Sequence, residues 1–499
     1  MRRSVPAAPG DLFDRRQAAH AGRPAQWQTM NTAILTDGPI VSADLLRRLD
    51  QPGPRYTSYP TADRFIEAFG PEDYERALRS RMQGAARNAG VAPLSLYVHI
   101  PFCESLCYYC ACNKIVTRHH ERAAPYLKAL EAEVGLHAVE LGLRQPVSQL
   151  HLGGGSPTFL SDAELAALMA MLRRAFAISA SAEISIEVDP RTADPQRLRH
   201  LASLGFNRLS FGVQDFDAAV QTAVHRVQSV DSVRHLLDAA RALNFRSTNV
   251  DLIYGLPRQT PASFARTIDQ VCELRPDRIA LYAYAHLPQR FKAQRRIDTA
   301  LLPPAPDKIA MLAQAIEGFG AAGYAYIGMD HFALPDDPLA IAKRQGRLHR
   351  NFQGYSTQPD CDLIGLGVSA IGRIGATYSQ NAKTLDEYQD ALAQHTFPIA
   401  RGLALTRDDL LRRAVIMALM CQGRVEFESI SLSHLVDFRR TFAAELAALR
   451  PLQAEGLVTI DADAIDVTPL GWYFVRSIAM VFDRHLQADR ARDHYSRVI

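Results

Sequence analysis

An α/β fold built as a partial, TIM-like (β/α)6 barrel is what this sequence predicts, and three observations predict it. Six short β-type runs recur between residues 94 and about 323, separated by stretches with helical apolar spacing. Strand–helix units in succession require parallel strands joined by right-handed crossovers. Six convincing units fall short of the eight of a closed barrel, so an open arrangement fits better.

The elements follow in order. Residues 1 to 50 are rich in Arg, Ala and Pro, lack a sustained apolar period, and read as a mobile amino-terminal extension. Met30 offers a second start, which would make residues 1–29 an artefact of start-site choice. A domain from 51 to 394 then contains the strands LSLYVHI (94–100), SQLHLGG (148–154), EISIEV (183–188), RLSFGV (208–213), TNVDLIYG (248–255) and RIALYAY (278–284). Leu127, Leu130, Val134 and Leu141 form one helical stripe between them; Leu165, Leu168, Met169 and Leu172 form another, opened by Ser161 and Glu164 at capping-box spacing. Residues 395–499 read as a mostly helical domain: helices over TRDDLLRRAVIMALM and LVDFRRTFAAELAAL, a hairpin over GLVTIDADAIDVT, and a last helix near 469–484. That order resembles a winged helix, but the second helix carries as many acidic as basic residues and shows no basic face. A packing domain covering one mouth of the barrel is the expectation.

Bulk properties exclude several function classes. Apolar residues make up 47% and charged residues 22% of 499, and the net charge is only +3. No general attraction to nucleic acid or to a membrane surface follows from such a balance. No apolar run approaches the roughly 20 residues of a membrane span, and MRRSVPAAPG has no apolar segment behind its arginines. Cys272, Cys361 and Cys421 are scattered and read as buried thiols, a cytoplasmic pattern of cysteine use.

The other four cysteines, Cys103, Cys107, Cys110 and Cys112, crowd into the loop after the first strand. Ligands of such folds gather at the carboxyl ends of the strands, where this loop lies. Structural zinc usually takes two separated ligand pairs, and no second pair lies downstream. Disulfides in so short a loop would be strained and out of place in a reducing compartment. Three thiolates on one loop suit three corners of a [4Fe–4S] cube and leave one iron for another ligand. The spacing favours the cluster while leaving zinc open.

Cys-x3-Cys-x2-Cys is also the signature of radical S-adenosylmethionine (SAM) enzymes, whose usual fold is a six-unit partial barrel. The longer string YVHIPFCESLCYYCACNKIVTR resembles the oxygen-independent coproporphyrinogen III oxidases. PRYTSYPTA (54–62), HLGGGSPT (151–158), EISIEVDPR (183–191), NRLSFGVQDF (207–216), DLIYGLP (251–257), GMDHFA (328–333), HRNFQGYSTQ (349–358) and the final SRVI point the same way. The resemblance runs from about residue 52 to the carboxyl end.

This resemblance implies that Cys103, Cys107 and Cys110 hold the cluster and that SAM chelates the free iron. It implies two SAM sites, with Tyr97, Tyr109, Gly154, Gly155, Ser156, Glu187, Gln214, Arg226, Asp251, Ala285 and Ile371 as contacts. Cys112 is implied to be needed for turnover without ligating iron, and His99 is a second catalytic candidate. Tyr109 stands where the family has Phe, and Ala111 where it has Gly. The implied reaction converts two propionates of coproporphyrinogen III to vinyls, giving protoporphyrinogen IX in haem biosynthesis without oxygen. An electron donor such as flavodoxin or ferredoxin and a monomeric state are the implied partner properties. Arg295, Arg296, Lys343, Arg344 and Arg350 are cationic candidates for the carboxylates of the substrate. RYTSYP is implied to reach towards the active site; the plainer reading is a strand or loop pinned to the barrel by Tyr56 and Tyr59. The competing reading is a haem-binding chaperone of the same superfamily, whose members typically lack the fourth cysteine and the RYTSYP segment.

Overall fold

The computed structural model describes residues 41–87, 92–358 and 361–488. Residues 1–40 of the expected extension and the final SRVI lie outside the described residues. All six predicted strands form: β1 (Leu94–Ile100), β2 (Gln145–Gly154), β3 (Phe176–Val188), β4 (Arg208–Gln214), β5 (Ser247–Tyr254) and β6 (Arg278–Ala283). They lie side by side in that order and every pairing is parallel. Helices α1 (Ala43–Leu49), α2 (Ala123–Leu141), α3 (Asp162–Ala175), α4 (Pro195–Ser203), α5 (Val230–Ala242), α6 (Pro261–Leu274) and α7 (Ala305–Ala321) include the crossovers. In α3 the expected capping box is present, and Leu165, Leu168, Met169 and Leu172 are all buried. Each such side chain contributes about 1.5–3 kcal/mol by leaving water.

The sheet is wider than six strands. Beyond β6 come β7 (Ala325–Gly328) and β8 (His331–Ala333); before β1 come β9 (Leu363–Leu366), β10 (Ile371–Ile374), β11 (Thr377–Asn381) and β12 (Ile399–Ala404). The order is β12-β11-β10-β9-β1-β2-β3-β4-β5-β6-β8-β7, so among the described residues the sheet has two ends and is not a closed ring. β9 runs parallel to β1, pairing Leu363 with Ser95, while the outer additions are antiparallel.

Alternation along the strands explains where ligands can sit. Ile184, Ile186 and Val188 of β3, Leu209, Phe211 and Val213 of β4, and Val250 and Leu252 of β5 are buried. Their neighbours Ser185, Glu187, Ser210, Gly212, Asn249 and Asp251 are only partly buried and share the opposite face. A closed barrel fills its interior with branched apolar side chains. This one keeps a polar, accessible chamber.

Three expectations need correction. The extension does not run to residue 50: Ser42 caps α1, and Leu45 and Leu46 are buried in the main core, α1 packing beside α7. The carboxyl-terminal domain does not begin at 395, because β12 pairs with β11 as part of the main sheet. The segment LVDFRRTFAAELAAL is not one helix but two short ones, Phe438–Thr441 and Ala443–Ala448, with a third, Arg450–Ala454, directly after it. Leu435 adopts a left-handed conformation before them, and Pro451 lacks the N–H a continuing helix would need.

After β12, α8 (Arg407–Gln422) opens the last domain, and the expected hairpin forms between Val458–Ile460 and Ala464–Val467. The helix expected near 469–484 is shorter, Val475–Met480 after a 3-10 turn at Gly471–Phe474, and a separate short helix, Arg484–Ala488, follows it. At Gly471 an added Cβ would collide with the carbonyl oxygen of Leu457, the residue that leads into the hairpin, so this turn requires glycine. The domain grips RYTSYP: Tyr56 donates to the Asp483 carboxylate at 3.0 Å and Arg476 donates to the Pro54 carbonyl at 2.8 Å. Tyr378 of β11 meets the backbone of Tyr59, and both tyrosines of the segment are fully buried. Arg55 pairs with Asp330 and lies over the Tyr282 ring of β6, 5.2 Å from its centroid.

Candidate active site

The cysteine loop leaves β1 and is stitched to the end of β2. Gly155 donates its amide to the Ile100 carbonyl and Ser156 to that of Phe102, both at 2.8 Å. An added Cβ at Gly155 would lie 2.7 Å from the carbonyl oxygens of Pro101 and Phe102; at Gly154, where φ is +112°, it would lie 2.5 Å from the His99 ring. These glycines are therefore required by the approach of two backbones, which brings Gly154, Gly155 and Ser156 to the wall of one cavity.

Cys103, Cys107, Cys110 and Cys112 line the same cavity, with Tyr109, Glu187, Gln214, Arg226 and Asp251. All seven cysteines are free thiols. Among the described residues no three His, Cys, Asp or Glu side chains come together as a group that could hold a single metal ion. Thiols spread around an open cavity have the spacing that the corners of a larger inorganic cluster require. Burial pushes the Cys103 thiol up to about 12, against a hydrogen bond from the Ser156 hydroxyl at 3.7 Å. A bound cationic centre would reverse that preference. The Cys112 thiol shares a hydrogen bond with Cys110 that holds Cys110 low and Cys112 high, with Lys114 also favouring the Cys110 thiolate. Cys112 is exposed and lines the cavity. Ala111 has no positive φ, so alanine is tolerated there without backbone strain.

Around the thiols the strands present carboxylates. Glu187 accepts the Gly154 amide at 3.2 Å and lies 3.5 Å from Nε2 of His151. Asp251 accepts from Ser210 at 3.0 Å and Asn249 at 2.9 Å; burial and the nearby Glu187 push its carboxyl up to about 6. Gln214 ends β4 at φ +70° beside a register shift, a strained conformation of the kind that gathers at ligand sites.

Four expected residues do not line the cavity. Tyr97 and His99 stand just behind it on β1, joined to each other at 3.0 Å and to the cavity wall through Gly154. Ala285 is tied to Tyr109 by Gln294, whose amide donates to both backbone carbonyls at 3.1 and 3.0 Å. Ile371 lies on β10, two strands from β1 in the sheet order.

Sequence reasoning missed Asp189 and Arg191. The Asp189 carboxylate holds Arg191 through Nε and Nη2 (3.0 and 2.6 Å) and Arg226 through Nη1 and Nη2 (3.3 and 3.1 Å). Burial opposes ionisation of Asp189 most strongly, yet the two guanidiniums together hold its carboxyl below the ordinary range. Arg226 and Arg191 both donate to Cys107 Sγ, at 3.4 and 3.6 Å. The signal was available in the string EVDPR, which puts opposite charges at the carboxyl end of a predicted strand. Of the cationic candidates, Lys343 is buried, bonded to the Tyr326 carbonyl and 4.0 Å from the Trp472 ring centroid, and Arg350 is buried against Tyr355. Arg295 and Arg344 donate to nearby backbone carbonyls, and Arg296 lies over Tyr108.

Comparison with known proteins places this geometry. The model of the radical SAM superfamily matches residues 97–271, and that of the HemN C-terminal domain matches 405–474. The oxygen-independent coproporphyrinogen III oxidase of Pseudomonas aeruginosa is 52% identical over 92% of this chain and 98% of its own length. That of Escherichia coli is 50% identical over 91% and 98%. The chain belongs to the oxygen-independent coproporphyrinogen III oxidases. A solved structure of the E. coli oxidase, described as a radical SAM enzyme, superposes with a TM-score of 0.82 over 87% of this chain and 98% of that one. The family match at 405–474 begins just after β12, in agreement with the boundary set by strand pairing. As an oxidase of this family the chain is a radical SAM enzyme, with a [4Fe–4S] cluster and SAM as cofactors. No helix among its described residues is long and apolar enough to cross a membrane.

Proposed function

We infer that this chain converts two propionate side chains of coproporphyrinogen III to vinyl groups, giving protoporphyrinogen IX, in the cytoplasm and as a monomer. The observation that carries the reading is the three-plus-one arrangement of thiols at the carboxyl ends of six parallel strands. When bound, the cluster and SAM supply a hydrogen-abstracting 5′-deoxyadenosyl radical by one-electron cleavage of the sulfonium.

Cys103, Cys107 and Cys110 would hold the cluster, and the donors on Cys103 and Cys107 would keep each thiolate oriented. Gly154, Gly155 and Ser156 allow close approach of a ligand to the backbone, and Glu187 offers a carboxylate to a cationic amino group of SAM. Asp251, fixed by Ser210 and Asn249, offers an acceptor to ribose hydroxyls. The other named SAM contacts, Ile371 included, and the second SAM site rest on the resemblance. Cys112, exposed at the cavity, would act on substrate beside the ligating thiols. Each propionate would lose one hydrogen atom from its β-carbon to the adenosyl group, then carbon dioxide and one electron, the electron passing to a one-electron acceptor, leaving the vinyl. A flavodoxin or ferredoxin would supply the electron that starts each turnover.

The test is anaerobic assay of the protein reconstituted with iron and sulfide, given SAM, a low-potential reductant and coproporphyrinogen III. Two vinyls formed for two 5′-deoxyadenosines are expected. Tight haem binding without decarboxylation would overturn the reading in favour of a haem carrier.

A further inference from the structure

The three thiols of the loop assigned to the cluster are not electrostatically equivalent. Cys103 receives one neutral hydroxyl, from Ser156, and Cys110 has a thiol and Lys114 beside it. Cys107 receives two guanidinium N–H groups, from Arg226 and Arg191. Asp189 bridges both arginines, so two positive charges and one negative charge face a single sulfur and leave a net charge of about +1.

The two arginines are held differently. Arg226 also donates to the Gly212 carbonyl through Nε at 3.1 Å and Nη2 at 2.5 Å, which locks it to β4. Among the described residues the Arg191 guanidinium donates to Asp189 and Cys107. Its side chain, 17% exposed, stands between the thiol cavity and a second cavity lined by Glu104, Arg118, Phe159 and Thr192. It is the replaceable member of the pair.

Charge and hydrogen bonds at the sulfurs are the protein's levers on the potential of an iron–sulfur cluster. Reduction adds one negative charge, part of it on the thiolate sulfurs, and a cationic donor there favours the reduced form. We propose that Arg191 is a positioning residue that, oriented by Asp189, donates to Cys107 and raises the reduction potential of the cluster held by that thiol. The inference rests on Cys107 being a cluster ligand. The planar fork of arginine matters as well as its charge, since one edge grips Asp189 while Nη2 reaches the sulfur.

The experiment is an EPR-monitored redox titration of the anaerobically reconstituted full-length protein and its Arg191→Met, Arg191→Gln and Arg191→Lys variants. The parent's [4Fe–4S] signal tests the ligand assignment; the differences between variants test the inference. Arg191→Met and Arg191→Gln are expected to lower the reduced-to-oxidised ratio at a fixed potential by about tenfold, a fall of about 59 mV for a one-electron couple. Arg191→Lys, which keeps the charge but not the fork, is expected to fall less. Unchanged midpoints in both neutral variants would overturn the proposal. So would loss of the cluster from both, which would make Arg191 a structural support of the loop.

Discussion

The Tyr97 hydroxyl lies 3.0 Å from Nδ1 of His99, and the other ring nitrogen of His99 lies 2.9 Å from the carbonyl oxygen of Asn113. A carbonyl only accepts, so Nε2 carries the proton and Nδ1 accepts from Tyr97. Burial holds the His99 imidazole below its usual range, consistent with a neutral ring. His99 thereby fastens the residue after Cys112 to the strand before Cys103. His99→Leu is expected to orphan both partners and cost about 1–3 kcal/mol. Turnover should fall further than stability, because Cys112 loses its anchor. Thermal denaturation and anaerobic turnover of the same preparation separate the two effects; unchanged turnover would refute the role.

Cys112→Ser should leave the iron and sulfide content and the cluster absorbance intact while abolishing decarboxylation. Loss of the cluster from this variant would instead make Cys112 a ligand. Iron and sulfide analysis beside product chromatography decides between them.

Gly155→Ala drives a methyl group against the carbonyls of Pro101 and Phe102, which are backbone and cannot swing aside. Overpacking of this kind costs about 1–3 kcal/mol. The displaced atoms begin the cysteine loop, so the variant should also retain less iron after reconstitution. A melting temperature and iron content equal to the parent's would show that the two backbones have more freedom than their hydrogen bonds indicate.

Glu133, on α2, accepts hydrogen bonds from the Tyr388 hydroxyl, the Asn381 amide and the Gly367 backbone. On the same helix Tyr126 donates to the His99 carbonyl at 2.5 Å, so α2 ties the end of β9 to the end of β1. Burial outweighs the three donors and pushes the Glu133 carboxyl up to about 7, against an ordinary 4.5. Between those values the folded chain holds a proton that the unfolded chain has released, so stability falls as pH rises from about 4.5 to 7 and levels off above. The full difference is about 3 kcal/mol. Urea denaturation at pH 5, 6 and 7 should show this decline in the parent and a shallower one in Glu133→Gln. Parallel slopes would remove Glu133 as its source.

What could be read in advance was whatever repeats locally. The six parallel strands were legible because β3, β4 and β5 alternate buried and partly buried side chains, and α3 because its stripe and cap agree. β7 to β12 were not legible: several span only four residues, and β9 is buried throughout, so no alternation marks it. The break before Arg450 could have been found from Pro451 alone. The cysteine loop, Glu187 and Asp251 could be placed because each sits at or near the carboxyl end of a readable strand. The meeting of Arg226 with Cys107 could not, since 119 positions separate them and only the folded sheet brings them together.

The parallel pairing of β1 with β9 has a consequence for how the protein is made. Ser95 waits for Leu363, and a ribosome adding about 5–20 residues per second needs on the order of tens of seconds to deliver it. During that interval one edge of β1 is open, and the thiols that follow it lack their finished surroundings. Cluster insertion into a native pocket is therefore a late event, and the nascent chain depends on a reducing milieu to keep four neighbouring sulfurs from oxidising first.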